Sequence, residues 1–341
     1  MARRGPRASR SVAALALLVL AACGGDERPT GTSPGQRLAD DDFGRRDQGE
    51  RLAAAALARV AGRARALPYA PILFGDLRLR AASTDACDFA RHCAALDFFA
   101  LTDPAERATH GWWAIREGAR GCDALGGGPG DPAPEIPVVA DGAPPSRSAH
   151  PGGLVAVHAV GRSGEAIREA LRRREVYATS GPRILLWFDL LNGPRGAAPM
   201  GSEVAMAGAP RFEVRAAGAL LEEPGCPESA RAALGPARLA ELCAGACANP
   251  GDGRHAIAAI EVVRIRPQRS GEPGAALVED PWRRIECAPT PAGCAATFED
   301  PDFAAGGRDA LYSARALEAP APEGGRAWSS PILVRFAREG E

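Results

Sequence analysis

The stretch Pro71–Asp103, PILFGDLRLRAASTDACDFARHCAALDFFALTD, holds the reading on which the fold turns. Ile72–Leu77 is an apolar run with strand character, and Asp97–Leu101 (DFFAL) reads as a second buried strand. Between them Asp85–Leu96 reads as a helix with Asp85 as its N-cap. Strand, helix, strand implies a parallel pair with a helical crossover. The alternation continues downstream. Trp112–Cys122 reads as helix, Leu154–His158 (LVAVH) as a third strand and Gly164–Arg174 as an amphipathic helix. Residues 126–152, with the run Gly126–Gly128, form a Gly/Pro-rich loop. The fold class is therefore α/β.

The character changes after Gly181-Pro182. Ile184–Leu190, Arg211–Ala216, Ile257–Ile265, Ala310–Leu317 and Pro331–Phe336 all read as strands, and helical signal is confined to about 228–243. This half reads as a β-rich region, a sandwich or a sheet packed on the first half. Upstream, residues 49–66 suit an Ala-rich helix. Residues 24–48 are Gly, Pro, Asp and Arg with almost no apolar periodicity, and read as a disordered tether.

The N-terminus carries Arg3, Arg4, Arg7 and Arg10, then the apolar run Val12–Leu20, then Ala21, Ala22 and Cys23. A basic start, a short apolar core and small residues before a cut site make a secretion signal over 1–22. The run is far below the roughly 20 residues that span a bilayer. Leu20-Ala21-Ala22-Cys23 resembles a bacterial lipobox, which implies cleavage before Cys23 and a lipid on its thiol. The implied address is the cell envelope, with the membrane as a partner through the anchor. Arg3-Arg4 lacks the rest of a twin-arginine pattern.

The formal net charge of −1 becomes −5 once those four arginines leave, so nothing suggests a nucleic-acid partner. All 41 basic residues are arginine. The absence of lysine excludes Schiff-base chemistry and a Walker A loop. Besides Cys23 there are eight cysteines: Cys87, Cys93, Cys122, Cys226, Cys243, Cys247, Cys287 and Cys294. An even number in an exported chain favours disulfides, with zinc as the rival. Cys287 and Cys294 form a candidate local pair, and sequence leaves the other pairings open.

Two segments stand at predicted strand ends, Phe74-Gly75-Asp76-Leu77-Arg78-Leu79-Arg80 and Leu101-Thr102-Asp103-Pro104-Ala105-Glu106. In α/β barrels catalytic groups gather at that end. Together with Gly153–His158, Arg173–Arg183, Asp280–Arg283 and Trp328–Ile332, they resemble the secreted proteins of domain-of-unknown-function family 3604. Those proteins are relatives of the polymerase-and-histidinol-phosphatase (PHP) metal hydrolases, which fold as a distorted (β/α)7 barrel. The resemblance implies a partial or distorted PHP-like β/α barrel, or an open sheet, over 67–183, with the β-rich region 184–341 belonging to the same family. It also implies Gly-Asp-Leu-His-x-His at the first strand and Thr/Asn-Asp-His-Ala-Glu after the second. Here Arg78, Arg80 and Pro104 stand where those histidines would fall, and only Asp76, Asp103 and Glu106 match. Relatives are also longer, and the missing length falls between about Trp113 and His150.

A guanidinium offers no lone pair and stays protonated, so it cannot replace an imidazole on a metal. Alternation along a strand would put Asp76, Arg78 and Arg80 on one face. The expectation is a non-catalytic, degenerate PHP-like lipoprotein with no resident cofactor. A first alternative is a metal-dependent phosphoesterase that retains Mn, Zn or Fe through Asp76, Asp103, Glu106 and His158. A second is an envelope module that binds a small anion through Arg78 and Arg80; a protein partner stays open. His92, His110, His150 and His255 read as surface or packed residues, and no G-x-S-x-G elbow occurs. Replacing Cys23 with Ser is expected to abolish incorporation of labelled palmitate and to move the protein out of the membrane fraction.

Overall fold

The computed structural model describes residues 50–57, 71–79, 83–103, 108–115, 122–124, 153–320 and 324–337. Cys23 and its signal, the tether over 24–48, the later part of the Ala-rich helix, residues 126–152, and Arg80, Pro104 and Glu106 lie outside the described residues. No described helix is long and apolar enough to cross a membrane. The described residues belong to one compact unit, Ser33–Glu341.

The chain begins with a helix, α1 (50–57), whose Leu57 is fully buried. Strand β1 (Ile72–Leu79) follows, then the short helix α2 (Ser83–Asp88), which runs into a π-helical turn over Phe89–Cys93. Strand β2 (Phe98–Asp103) returns parallel to β1, pairing Gly75 with Phe98 and Asp76 with Phe99. The predicted crossover is thus present. Its helix starts at Ser83 rather than at an Asp85 cap, so Asp85 lies in the first turn, where an acid suits the helix dipole.

The next segment departs from the sequence reading. In the segment Trp112–Cys122, expected as helix, the described residues Trp112–Ile115 and Cys122 are strand. Strand β3 (Ala108–Ile115) pairs antiparallel with β2, and β4 (Cys122–Ala124) pairs antiparallel with β3. Tryptophans favour strands, and the open edge of β2 supplies hydrogen-bond partners that an isolated helix would not have. Strand β5 (Leu154–His158) then pairs antiparallel with β1, and α3 (Gly164–Arg172) leads into β6 (Val176–Thr179), antiparallel to β5. Within the first half of the chain the expectation of a parallel sheet therefore fails beyond β1 and β2.

Strands β7 (Leu185–Gly193), β8 (Gly196–Pro199), β9 (Glu203–Met206) and β10 (Arg211–Ala217) come next. An excursion of β11 (Leu220–Glu222), α4 (Glu228–Cys243) and β12 (Pro250–Arg254) follows. The chain ends with β13 (Ile257–Ile265), β14 (Val278–Glu286), β15 (Cys294–Glu299), α5 (Asp302–Gly306), β16 (Ala310–Glu318), β17 (Arg326–Ser329) and β18 (Ile332–Phe336). Helix in the second half is thus not confined to 228–243, since α5 adds a turn.

These strands build a mixed sheet in the order β14-β13-β16-β17-β6-β5-β1-β2-β3-β4, with β18 on β16 and β9 on β18. The sheet curls strongly, as half a barrel, and stays open, with β14 and β4 at its ends. It crosses from the first half of the chain into the second where β17 pairs with β6. A smaller antiparallel sheet, β15-β10-β7-β8, packs against it.

Three layers result. Leu73, Phe98, Val155, Val157 and Val176 form one core with Ala166, Ile167, Ala170 and Leu171 of α3. On the other face Ile72, Phe74, Phe99 and Tyr177 join Leu186, Phe188, Phe212 and Val214 of the small sheet. Phe212 is the centre of that second core, with ring centroids 4.6 Å from Tyr312 and 5.4 Å from Phe188 and Phe298. Burial on both faces explains why Ile72–Phe74, at the start of β1, reads as an unbroken apolar run.

The eight described cysteines form four disulfides: Cys87–Cys122, Cys93–Cys243, Cys226–Cys247 and Cys287–Cys294. The sequence preference for disulfides over zinc holds, and the local pair forms.

Gly75, which precedes Asp76, has a steric role. A Cβ there would lie 2.4 Å from the ring of Phe98, which is fully buried. Gly75→Ala is expected to lower stability by about 1–3 kcal/mol, read as a lower urea midpoint at unchanged slope. Gly208→Ala, where a Cβ meets nothing within 4 Å, is expected to stay near neutral.

Candidate functional site

The two strand-end motifs lie on neighbouring parallel strands, so they run toward the same edge of the sheet. Asp76 pairs with Phe99, and Asp103 closes β2 opposite Ala108 of β3. Between Asp76 and Leu79 the register shifts, because Leu79 pairs with Leu101. Three steps along β1 thus match two along β2. An extra residue of this kind interrupts the pleat. The shift falls between Asp76 and Leu79, within the first motif. Beyond Asp103 the chain turns back into β3, where a β/α barrel would cross over by a helix.

The base of this edge is held by charge. Asp97, 4% exposed, accepts the Phe74 amide at 2.8 Å and the Arg162 guanidinium at 2.6 Å. Its own amide donates back to the Phe74 carbonyl at 2.8 Å. Arg183 donates to the carbonyls of Ala94 and Ala95 at 2.5 and 3.0 Å, where the π-helical turn ends. That is the favourable site for a cation on a helix. Its guanidinium also lies 5.9 Å from the Phe74 ring centroid.

His158 was grouped with the acids by sequence, and the structure places it elsewhere. It pairs with Ile72, the first residue of β1. Asp76 is four residues further along, roughly 13 Å at the rise of a strand. The Nε2 of His158 lies 2.9 Å from the Leu186 carbonyl, which can only accept, so Nε2 carries the proton. The ring packs against Tyr177 and Trp187, at centroid distances of 5.6 and 6.1 Å. Burial pushes its pKa down to about 4; the Leu186 bond opposes the shift and the Arg215 charge reinforces it.

Tyr177 acts beside it, its hydroxyl donating to the Ile184 carbonyl at 2.8 Å. Ile184 and Leu186 are two residues apart, so both carbonyls lie on the same edge of one extended segment. Two side chains of the large sheet thus satisfy the edge of β7 that β8 leaves open near its start.

Of the other histidines, only His110 is carried on a strand beside the motifs, two residues from Ala108, which pairs with Asp103. His92 sits on the π-helical turn, and burial followed by the Arg91 charge lowers its pKa to about 4 against Asp88. His110 lies on β3 at a register shift between Gly111 and Thr109. The His255 amide donates to the Ala219 carbonyl. His150 is outside the described residues. Among the described residues no group of three or more His, Cys, Asp or Glu is arranged to hold a metal.

Two buried ionic networks escaped the sequence reading. Arg215 binds Asp189 and Glu213, both at 3.1 Å, with its guanidinium 5.3 Å from the Trp187 ring. Arg264 binds Glu279 at 2.6 Å and Asp300 at 2.8 Å, and Tyr312 donates to Asp300 at 2.5 Å. Trp282 is flanked by Arg264 and Arg283 at 4.5 and 4.4 Å. Each network satisfies its own charges and ties β7 to β10 or β13 to β14. The period-two spacing of Glu213 and Arg215 on one strand was the available signal.

Residues 139–217 match the model of a family described as "Protein of unknown function (DUF3604)". The matched stretch contains His158, Arg162, Tyr177, Arg183 and Arg215 and begins after both strand-end motifs. No curated protein matches the chain, and no solved structure does.

A histidine held neutral in the folded state takes up its proton more readily when unfolded. The stability from His158 is therefore complete above about pH 6.5 and is lost as pH falls toward 4, on the order of 2–3 kcal/mol. His92 works in the same direction, while Glu318, whose carboxyl burial raises, opposes it. Denaturant midpoints measured from pH 7 to pH 4 should fall. His158→Gln, which keeps a donor for Leu186 and cannot titrate, is expected to flatten the fall.

Proposed function

We propose that this chain is a non-catalytic relative of the PHP hydrolases, carried in the cell envelope as a lipoprotein. The observation that carries the reading is the residue choice at the strand ends: Arg78, Arg80 and Pro104 occupy the positions that the hydrolase pattern gives to histidines. A guanidinium ~4 Å from a divalent ion would repel it by roughly 8 kcal/mol at an effective dielectric of ~20, an upper-end figure. Two of them rival the free energy with which a protein holds such an ion.

Three further observations support this reading. The register shift breaks the pleat beside Asp76. The β2–β3 return replaces a crossover at Asp103. His158, the imidazole offered with the acids as a metal ligand, has its Nε2 proton committed to Leu186. An envelope address fits the pairing of all eight cysteines behind Cys23, since such bridges persist in oxidising compartments.

One observation favours a second reading, a metal-dependent phosphoesterase. Asp76 and Asp103 lie on adjacent parallel strands and run toward one edge, as paired acids of a metal hydrolase would. The two readings separate by metal content. Protein incubated with Mn, Zn or Fe and desalted is expected to retain far less than one equivalent by elemental analysis, and to leave an aryl phosphodiester intact. One equivalent retained, or turnover that Asp103→Asn abolishes, overturns the non-catalytic reading. The combined change Arg78→His, Arg80→His and Pro104→His is expected to raise Zn affinity by more than about tenfold, since relief of even a quarter of the repulsion is worth that much.

A further inference from the structure

The excursion between β10 and β13 is joined to the rest of the unit by a narrow neck. A Cβ on Gly218 would lie 2.1 Å from the His255 carbonyl, so the outgoing and returning chains touch there. From this neck β11 and β12 pair, and α4 reaches across to the crossover between β1 and β2. The polar contacts on that side include Arg238 with Asp85 at 2.6 Å and the Ala248 amide to the Cys93 carbonyl at 2.7 Å. The ion pair is partly exposed and therefore worth little.

The apolar part of the contact is mostly sulfur. Of its six buried members, Cys93, Cys226, Ala230, Leu239, Cys243 and Cys247, four are cysteines. Cys93–Cys243 straps α4 to the crossover, and Cys226–Cys247 closes the excursion on itself. These bridges are neighbours. After Cys243 the chain passes through left-handed conformations at Ala244 and Gly245, and the Ala246 amide returns to the Cys243 carbonyl at 2.9 Å. Cys247 follows this turn, and it lies with Cys243 in the same buried cluster. Access differs between the bridges: Cys93 and Cys243 are at most 1% exposed, whereas Cys226 is 9% exposed and follows the exposed run Leu221–Gly225.

We propose that these four cysteines form a disulfide relay that releases the excursion from the crossover. An external dithiol reduces Cys226–Cys247, becoming a disulfide and leaving two thiols. The Cys247 thiolate attacks the Cys243 sulfur, the Cys93–Cys243 bond breaks, and a Cys243–Cys247 bridge forms. Cys93 departs as a thiolate and takes a proton from water. Two electrons have passed from the dithiol, and Cys93 and Cys226 end as thiols. The buried strap is thus opened from the accessible bridge, without a reductant entering the core. Cys87–Cys122 still pins α2 to β4, so the crossover keeps its place while its cover detaches.

Trypsin separates the participants, because Cys93 falls in peptide 92–107, Cys226 in 216–231, and Cys243 with Cys247 in 239–254. Folded full-length protein is treated with limiting dithiothreitol, quenched in acid, alkylated and mapped by mass spectrometry. The expected product has 239–254 bridged internally, with Cys93 and Cys226 alkylated. In the Cys226→Ser, Cys247→Ser variant the Cys93–Cys243 link is expected to open about tenfold more slowly or slower still. The proposal is overturned if wild-type protein never yields the internally bridged 239–254 peptide, or if the strap opens equally fast in both proteins. Should the variant not fold, the wild-type peptide pattern decides by itself.

Discussion

The first crossover depends on the buried carboxylate of Asp97. A carboxylate this shielded from water is tolerable only when its oxygens are bonded, and removing one partner of such a pair is costly. Asp97 meets the need with the Phe74 amide on one oxygen and Arg162 on the other. The consequence is positional. β1 and β2 are locked at Phe74 and Asp97, and the pairs from Gly75–Phe98 onward follow from that lock. Arg183 binds the carbonyls of Ala94 and Ala95 just before Asp97, so the last part of the crossover is gripped by two arginines from the 139–217 stretch. Phe74, the first residue of the first strand-end motif, is part of this clamp.

The same stretch joins the two sheets. A strand edge that runs into a core must satisfy its carbonyls, and β7 has no neighbouring strand beside Ile184 and Leu186 on the side away from β10. Tyr177 and His158 supply donors in place of a strand. Their rings fill the space between the layers, which is the use of an amphipathic aromatic: an apolar body and one polar tip. Phe188, Phe212 and Tyr312 continue the contact into the second half of the chain. Aromatic residues are only 5% of this sequence, so few of them are left for any other task.

Much of this was legible from periodicity. β1, β2, β5, α3 and the long strands β7, β10, β13 and β16 bury their apolar residues in repeating patterns that a single sequence displays. β3 was misread because Trp112, Trp113 and Ile115 fit a helical face as well as a strand, and only the free edge of β2 decides between them. β8, β9 and β17 are four-residue strands without an apolar pattern of their own. β14 reads as charge, as an edge strand should. Arg162, Arg183, Arg215 and Arg264 were hidden among 41 arginines, since nothing local separates a clamp from a solvated side chain. The register shift beside Asp76 is a property of two strands together and leaves no trace in either alone.

This division of labour bears on how a chain could give up a metal centre and keep its fold. The part of β1 that packs is Ile72 to Gly75, each nearly or fully buried. The motif positions Asp76, Arg78 and Arg80 come after that segment, and Asp103 to Glu106 come after the buried part of β2. The described packing of β1 and the bonds at Asp97 therefore rest on residues before Asp76. The bonds that hold this crossover are made by Phe74, Asp97, Arg162 and Arg183, and none of these is a position at which the sequence departs from the metal-hydrolase pattern.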